Sequence, residues 1–189
     1  MHDQCTERGM MQSHSSVIPW IIIGGVFMMG LSTIVHTPYR LLYNPSESAP
    51  RGWYAVKPVD RLHVEDLVVV DLDEDIAALA AERQYLPRHV PLLKRIAAMA
   101  GQRVCVTHGD VIIDIFIAAQ VHATDYKGRT LPTWSQCRPL ATDELFLLSN
   151  TSDASFDSRY FGPVHLSQVI GIATPIWIGH TGNSHAQTK

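Results

Sequence analysis

The sequence predicts a mainly β protein, an antiparallel sheet domain that follows one N-terminal transmembrane helix. Three observations lead there: a long uncharged run near the start, a series of short β-branched and aromatic runs bounded by turn residues, and a single segment with clear helical character. The uncharged run is "VIPWIIIGGVFMMGLSTIV", Val17 to Val35. Its nineteen residues, coiled as a helix, rise about 28 Å, close to the roughly 30 Å hydrocarbon core of a bilayer. Pro19, Gly24, Gly25 and Gly30 would weaken a helix in water but are tolerated in lipid. A cleaved signal peptide is the competing reading, since Gly30 and Ser32 form a small-x-small pattern. Against it, the run exceeds the usual apolar stretch of about 7–15 residues, and the leader "MHDQCTERGMMQSHSS" is not net positive. Charge does not orient the span, with Arg8 before it and Arg40 and Arg51 after it.

The expected organisation is a short tail over residues 1–16, the transmembrane helix over 17–35, a folded domain over 36–178 and a flexible tail over 179–189. Within the domain, "GWYAVKP" and "DLVVVDLD" read as strands, and "DEDIAALAAERQYL" as a short helix that starts at acidic residues and stops before Pro87. "GQRVCVTHGDVIIDIFIAAQVHA" reads as a hairpin turning at His108, Gly109 and Asp110. "TDYKGRTLPTWSQCRP" reads as an irregular excursion, and "ATDELFLLSN" and "SQVIGIATPIWIG" as two further strands. The segment "PLLKRIAAMAG" is ambiguous. Propensity favours a helix, whereas a strand would put Leu92, Lys94 and Ile96 on one face, with an ammonium group between large apolar neighbours.

Composition excludes several functions. Without the leader, which holds one basic and two acidic side chains, the chain's 15 basic and 18 acidic residues fall to 14 and 16, a net −2. No cluster of Lys and Arg is dense enough for a nucleic-acid partner. The ten histidines are scattered without ligand spacing, so neither a metal nor any other cofactor is expected. Cys5 lies on the far side of the span from Cys105 and Cys137, which are either a disulfide or two free thiols.

Three short pieces carry the chemistry. Each is bland alone: "SESAPRG" is a turn, Lys94-Arg95 a solvated face, and "SFDSRYFGPV" a loop with a surface ion pair worth about 0–1 kcal/mol. In sequence behind an apolar run, they resemble the type I signal peptidases, membrane-bound serine proteases with a serine/lysine dyad. The resemblance spans roughly residues 17 to 175 and is nearest to the TraF-type conjugative transfer peptidases. Their serine turn, Ser-x-Pro-x-Gly-x-Tyr, is Ser48-Ala49-Pro50-Arg51-Gly52-Trp53-Tyr54 here. Two stretches depart from the family pattern: "AAMAGQ" keeps only Gly101 of a Gly-x-Pro-Gly-Asp segment, and Ser149-Asn150-Thr151 replaces Gly-Asp-Asn.

The resemblance implies a signal-peptidase-like catalytic domain with Ser48 as nucleophile and Lys94 as general base. It also implies that Ser46 and the backbone N–H of Ser48 form the oxyanion hole, that Ser155 orients the lysine amine, and that Asp157 and Arg159 form a supporting, partly buried ion pair. A serine hydroxyl needs a neighbour to take its proton, and a lysine can do so only when neutral. About one lysine in 2,500 is neutral at pH 7 at the reference pKa, and near one in ten at a pKa of about 8, a shift within the reach of burial. The implied location is the bacterial inner membrane with the domain on the periplasmic side, and the implied partners are lipid, a preprotein or prepilin substrate, and other conjugation or secretion components. Trp53 and Tyr54 are expected to rest together at the lipid interface. Two alternatives stand beside this reading: a general signal peptidase of broad range, and a non-catalytic single-pass component of a secretion apparatus.

Overall fold

The computed structural model describes residues 19–25 and 40–179. Residues 19–25 are helical (α1); the rest of the expected span over 17–35, the tail over 1–16 and residues 180–189 lie outside the described residues. Among the described residues no helix is long and apolar enough to cross a membrane. Residues 40–179 form an antiparallel β structure of two sheets.

The larger sheet has seven strands in the order β1-β2-β11-β3-β4-β9-β10. These are β1 (Arg40–Asn44), β2 (Gly52–Lys57), β3 (Leu67–Val70), β4 (Leu92–Ala98), β9 (Glu144–Leu148), β10 (Val164–His165) and β11 (Val169–Ile178). The smaller sheet has the order β7-β6-β5-β8, built from β5 (Arg103–Thr107), β6 (Asp110–Ile113), β7 (Phe116–Gln120) and β8 (Cys137–Pro139). Helix α2 (Glu74–Glu82) starts with acidic residues that suit the positive end of its dipole, and α3 (Ser158–Phe161) is a single turn inside "SFDSRYFGPV".

The ambiguous segment is strand β4. Tertiary pairing overrides its helix propensity because β4 lies between β3 and β9, with Val68 opposite Lys94 and Leu148 opposite Arg95. Both faces are packed: Leu93 against Leu67, Val69 and Tyr54, and Ile96 against Val68, Val70, Leu145 and Leu147. The expected hairpin after Gln102 is a three-stranded meander, because Asp114 takes a positive φ of 54° and turns the chain again between β6 and β7. Its carboxylate accepts the Arg103 N–H at 2.9 Å and Gln102 Nε2 at 3.2 Å, which compensates for that conformation.

The expected irregular excursion contributes β8, whose Cys137 lies directly opposite Cys105 of β5 and is joined to it by a disulfide. Strand β1, immediately before the serines, was not anticipated. It pairs with β2 in full register, Asn44 opposite Gly52. Trp53 and Tyr54, both expected at a lipid interface, do not share a face. Neighbouring residues of a strand point to opposite sides, so Trp53 is 45% exposed while Tyr54 is buried.

Candidate functional site

The seven residues between Asn44 and Gly52 form the serine turn. Gly52 ends it with a φ of 156°, and a Cβ there would lie 2.1 Å from the Trp177 carbonyl oxygen of β11, so only glycine lets the chain enter β2. The Tyr54 hydroxyl donates to the Pro50 carbonyl from beneath the turn. The Asn44 carboxamide, at the end of β1, binds the turn from within through the carbonyls of Ser46, Ala49 and Pro50. From the other side, Ser149 Oγ donates to the Ser48 carbonyl at 2.9 Å, and Thr151 Oγ1 to the Glu47 carbonyl at 2.6 Å. Ser48 Oγ is 2.9 Å from Ser46 Oγ.

Lys94 stands in the middle of β4 and is 2% exposed. Burial pushes its amine down to about 8; nearby Asp157 opposes that shift, and the Arg159 cation adds to it. At that value about one amine in ten is neutral at pH 7. Lys94 Nζ lies 2.6 Å from Ser155 Oγ, which fixes its direction. Among the described residues the Ser48 hydroxyl is bonded to Ser46 and the Lys94 amine to Ser155, with no bond between the two.

Asp157 and Arg159 are buried completely rather than partly, at 0% and 1% exposure. Arg159 Nε and Nη2 each reach a different Asp157 oxygen at 2.8 Å, a bidentate pair. The remaining guanidinium protons go to the carbonyls of Gln120, Asp153 and Ser155 at 2.8, 3.0 and 3.2 Å. All five donors are thereby used, which is what a buried arginine requires. Asp157 also caps α3 and accepts the Ser149 N–H at 3.1 Å. The ion pair thus touches both halves of the site, holding the peptide of Ser155 behind the lysine and positioning Ser149, which clamps the serine turn.

Ser46, Ser48, Lys94 and Ser155 line one cavity of about 770 Å³. Its far wall comes from residues 84–91 after α2, from His122 at the end of the expected hairpin, and from residues 124–131 of the expected irregular excursion. Asp125 fastens these two segments, accepting from the Tyr85 hydroxyl at 2.6 Å and from Arg129 at 2.7 Å. The structure thus brings together all four of the sequence-expected serines and lysine, with the ion pair behind them. Sequence reasoning missed Asn44, Ser149, Thr151 and the Asp125 clasp. Asn44 reads as one more turn residue, and Ser149 and Thr151 stood out only as departures from a family pattern. The other departure, "AAMAGQ", ends β4 with Ala97 and Ala98 and then forms the turn to β5, and none of its residues lines the cavity.

Comparisons with known proteins bear on the family. The chain matches the family "Signal peptidase, peptidase S26" over residues 14–178. It is 33% identical to the conjugal transfer protein TraF of Agrobacterium tumefaciens (strain 15955), covering 88% of this chain and 98% of that one. It is 38% identical to a plasmid transfer protein TraF of Escherichia coli over 45% of this chain and half of the relative. A solved signal peptidase I from Enterococcus faecalis V583 aligns with 61% of this chain and 99% of its own at 18% identity and a TM-score of 0.38. Match length and identity across nearly the whole chain leave one conclusion: this chain belongs to the S26 signal peptidase family and is of the TraF type.

Proposed function

We propose that the protein is a membrane-anchored serine endopeptidase that uses a Ser48/Lys94 dyad to remove leader or terminal peptides from exported proteins, with pilin precursors of a conjugative transfer system as substrate. The observation that carries the dyad is a lysine amine buried to 2% exposure, lowered to about 8, and lining the same cavity as a half-buried serine hydroxyl. Desolvation of that amine costs stability, and the cost is explained if the neutral form is needed. The names of the TraF relatives support the conjugative substrate.

The proposed chemistry uses these residues in turn. Neutral Lys94 Nζ takes the proton of Ser48 as its Oγ attacks the scissile carbonyl carbon. The oxyanion of the tetrahedral adduct is held by the Ser48 N–H and the Ser46 hydroxyl, a donor of the kind worth about 3 kcal/mol. The Lys94 ammonium then gives the proton to the departing amine, leaving an ester on Ser48. Lys94 next takes a proton from water as its oxygen attacks that ester. Returning the proton to Ser48 Oγ releases the carboxyl product. Ser155 holds the amine in line, and the Asp157–Arg159 pair holds Ser155.

Substrate binding as an extended strand is supported by two edges at the cavity. β1 is the terminal strand of its sheet, and β4 pairs with β9 only from Arg95 onward, so its first residues, Leu92 and Leu93, border the cavity on that side. The test is mass spectrometry of a pilin precursor co-expressed with the wild type, Ser48→Ala or Lys94→Met. Cleavage only with wild type is expected, and processing by either variant ends the dyad assignment. Cleavage of a panel of unrelated preproteins would make the enzyme a general signal peptidase.

A further inference from the structure

Asn44 is 6% exposed at the end of β1. Its Nδ2 lies 3.1, 2.9 and 3.3 Å from the carbonyl oxygens of Ser46, Ala49 and Pro50. Three acceptors settle which end of the carboxamide is nitrogen, since an oxygen there would face three oxygens. Oδ1 therefore points to Ser46, accepting its N–H at 3.2 Å and its hydroxyl at 2.8 Å. A serine hydroxyl has one proton. With that proton given to Asn44, Ser46 Oγ can only accept from Ser48, 2.9 Å away. The groups form a directed chain, from the Ser48 hydroxyl to the Ser46 hydroxyl to the Asn44 carbonyl. In this resting arrangement the nucleophile's proton points at Ser46 and not at Lys94, and Ser46 has no proton free for an oxyanion.

We propose that Asn44 is a positioning residue for the nucleophile: its carboxamide shapes the serine turn and sets the direction of the hydroxyl chain that a substrate carbonyl must reverse. The inference rests on the dyad reading. When a substrate carbonyl oxygen enters beside the Ser48 N–H, it competes with Asn44 Oδ1 for the Ser46 proton. Ser46 Oγ is then turned toward the substrate, and the Ser48 hydroxyl swings to Lys94. No bond to hydrogen breaks in this step; only hydrogen-bond directions change. The base is engaged once a carbonyl is in place, which restrains the nucleophile in the empty enzyme.

The experiment uses the full chain in detergent and a penem that acylates Ser48, followed by intact-mass spectrometry. The readouts are the limiting acylation rate, the half-saturating penem concentration and the pH profile. Asn44→Ala should lower the limiting rate by about tenfold to a hundredfold, the loss expected from a small misplacement of a reacting group. The half-saturating concentration should stay within about twofold, and the rise of the rate with pH should stay in place, because Asn44 does not contact Lys94. Made in a Ser46→Ala background, the same change should cost several-fold less, since Asn44 acts partly through that hydroxyl. Asn44→Asp keeps the volume but turns an oxygen toward three carbonyls, so it should lose as much as Asn44→Ala and serves if the alanine variant does not fold. A wild-type rate in Asn44→Asp, or an undiminished effect of Asn44→Ala in the Ser46→Ala background, overturns the proposal. Labelling that persists in Ser48→Ala, or at full rate in Lys94→Met, overturns the dyad itself, so the two failures are distinguishable.

Discussion

The two halves of the site are built by opposite means. Lys94 belongs to a strand of the sheet, paired to Val68 of β3 one residue before the pairing with β9 begins at Arg95, and it is held there at 2% exposure. Ser48 belongs to a seven-residue turn between an edge strand and its neighbour, and side-chain hydrogen bonds from Asn44, Tyr54, Ser149 and Thr151 hold it. On the proposed dyad, the difference follows from what each group must do. A lysine becomes a base only where water is excluded, which the interior of a sheet provides. A nucleophile must meet an incoming peptide, so its backbone has to stay at the rim and be held there by polar contacts. The Asp157–Arg159 pair joins the halves, since Arg159 binds the Ser155 carbonyl and Asp157 binds the Ser149 N–H.

The sharpest test of this division is at Lys94. Lys94→Met should reduce cleavage by about 10⁴-fold or more while raising stability by about 1–2 kcal/mol, because a charge that burial disfavours is replaced by an apolar chain. A loss of stability on chemical denaturation would contradict the view that the sheet desolvates the amine at a cost. In the wild type, kcat/KM should rise with pH through about 8 as the amine becomes neutral. The native lysine also binds its proton more weakly than the unfolded one, whose value is 10.5. Between about 8 and 10.5 the unfolded chain holds more protons, so this group's contribution to stability grows with rising pH across that window. Its full penalty applies below about 8.

Next in size is the link between the halves. Asp157→Ala leaves a guanidinium at 1% exposure without its carboxylate and should destabilise the fold by about 3–5 kcal/mol, read from urea midpoints. A change under about 1 kcal/mol would mean that the three carbonyls around Arg159 suffice without the pair. The disulfide lies outside this comparison and gives a control. It joins cysteines 32 apart in sequence, and its reduction should cost about 3–4 kcal/mol by loop entropy. Neither cysteine lines the cavity, so protein that remains folded should still cleave.

The smallest effects separate built contacts from incidental ones on the serine turn. Ser149→Ala removes the bond to the Ser48 carbonyl and should cost about 1 kcal/mol together with a several-fold fall in kcat. Arg51→Ala removes an ion pair to Glu47 whose side chains are 50% and 70% exposed, and should change stability by less than about 0.5 kcal/mol. Equal effects of the two would mean that the turn is held by its own chain and not by residues 149–151.

Residues close together in sequence were the most legible. The Ser-x-Ser turn, its Gly52 and the strands "GWYAVKP" and "DLVVVDLD" could be read because turn chemistry and period-two patterning are local properties. "PLLKRIAAMAG" could not be assigned locally, since its propensity and its pairing disagree and only the neighbours β3 and β9 decide. Trp53 and Tyr54 were expected to act together, and the pleat of β2 separated them. The region 124–131 looked irregular because its order depends on Asp125 meeting Tyr85, forty residues away.

What the sequence determined by itself was the set of chemically able side chains and the family to which their order belongs, because residue type and spacing are one-dimensional facts. The burial that lowers Lys94, the cavity that it shares with Ser48, and the carboxamide of Asn44 inside the serine turn were decided only by the tertiary structure. Desolvation and hydrogen-bond direction depend on which distant strands and loops close around a group, and no local pattern encodes that enclosure.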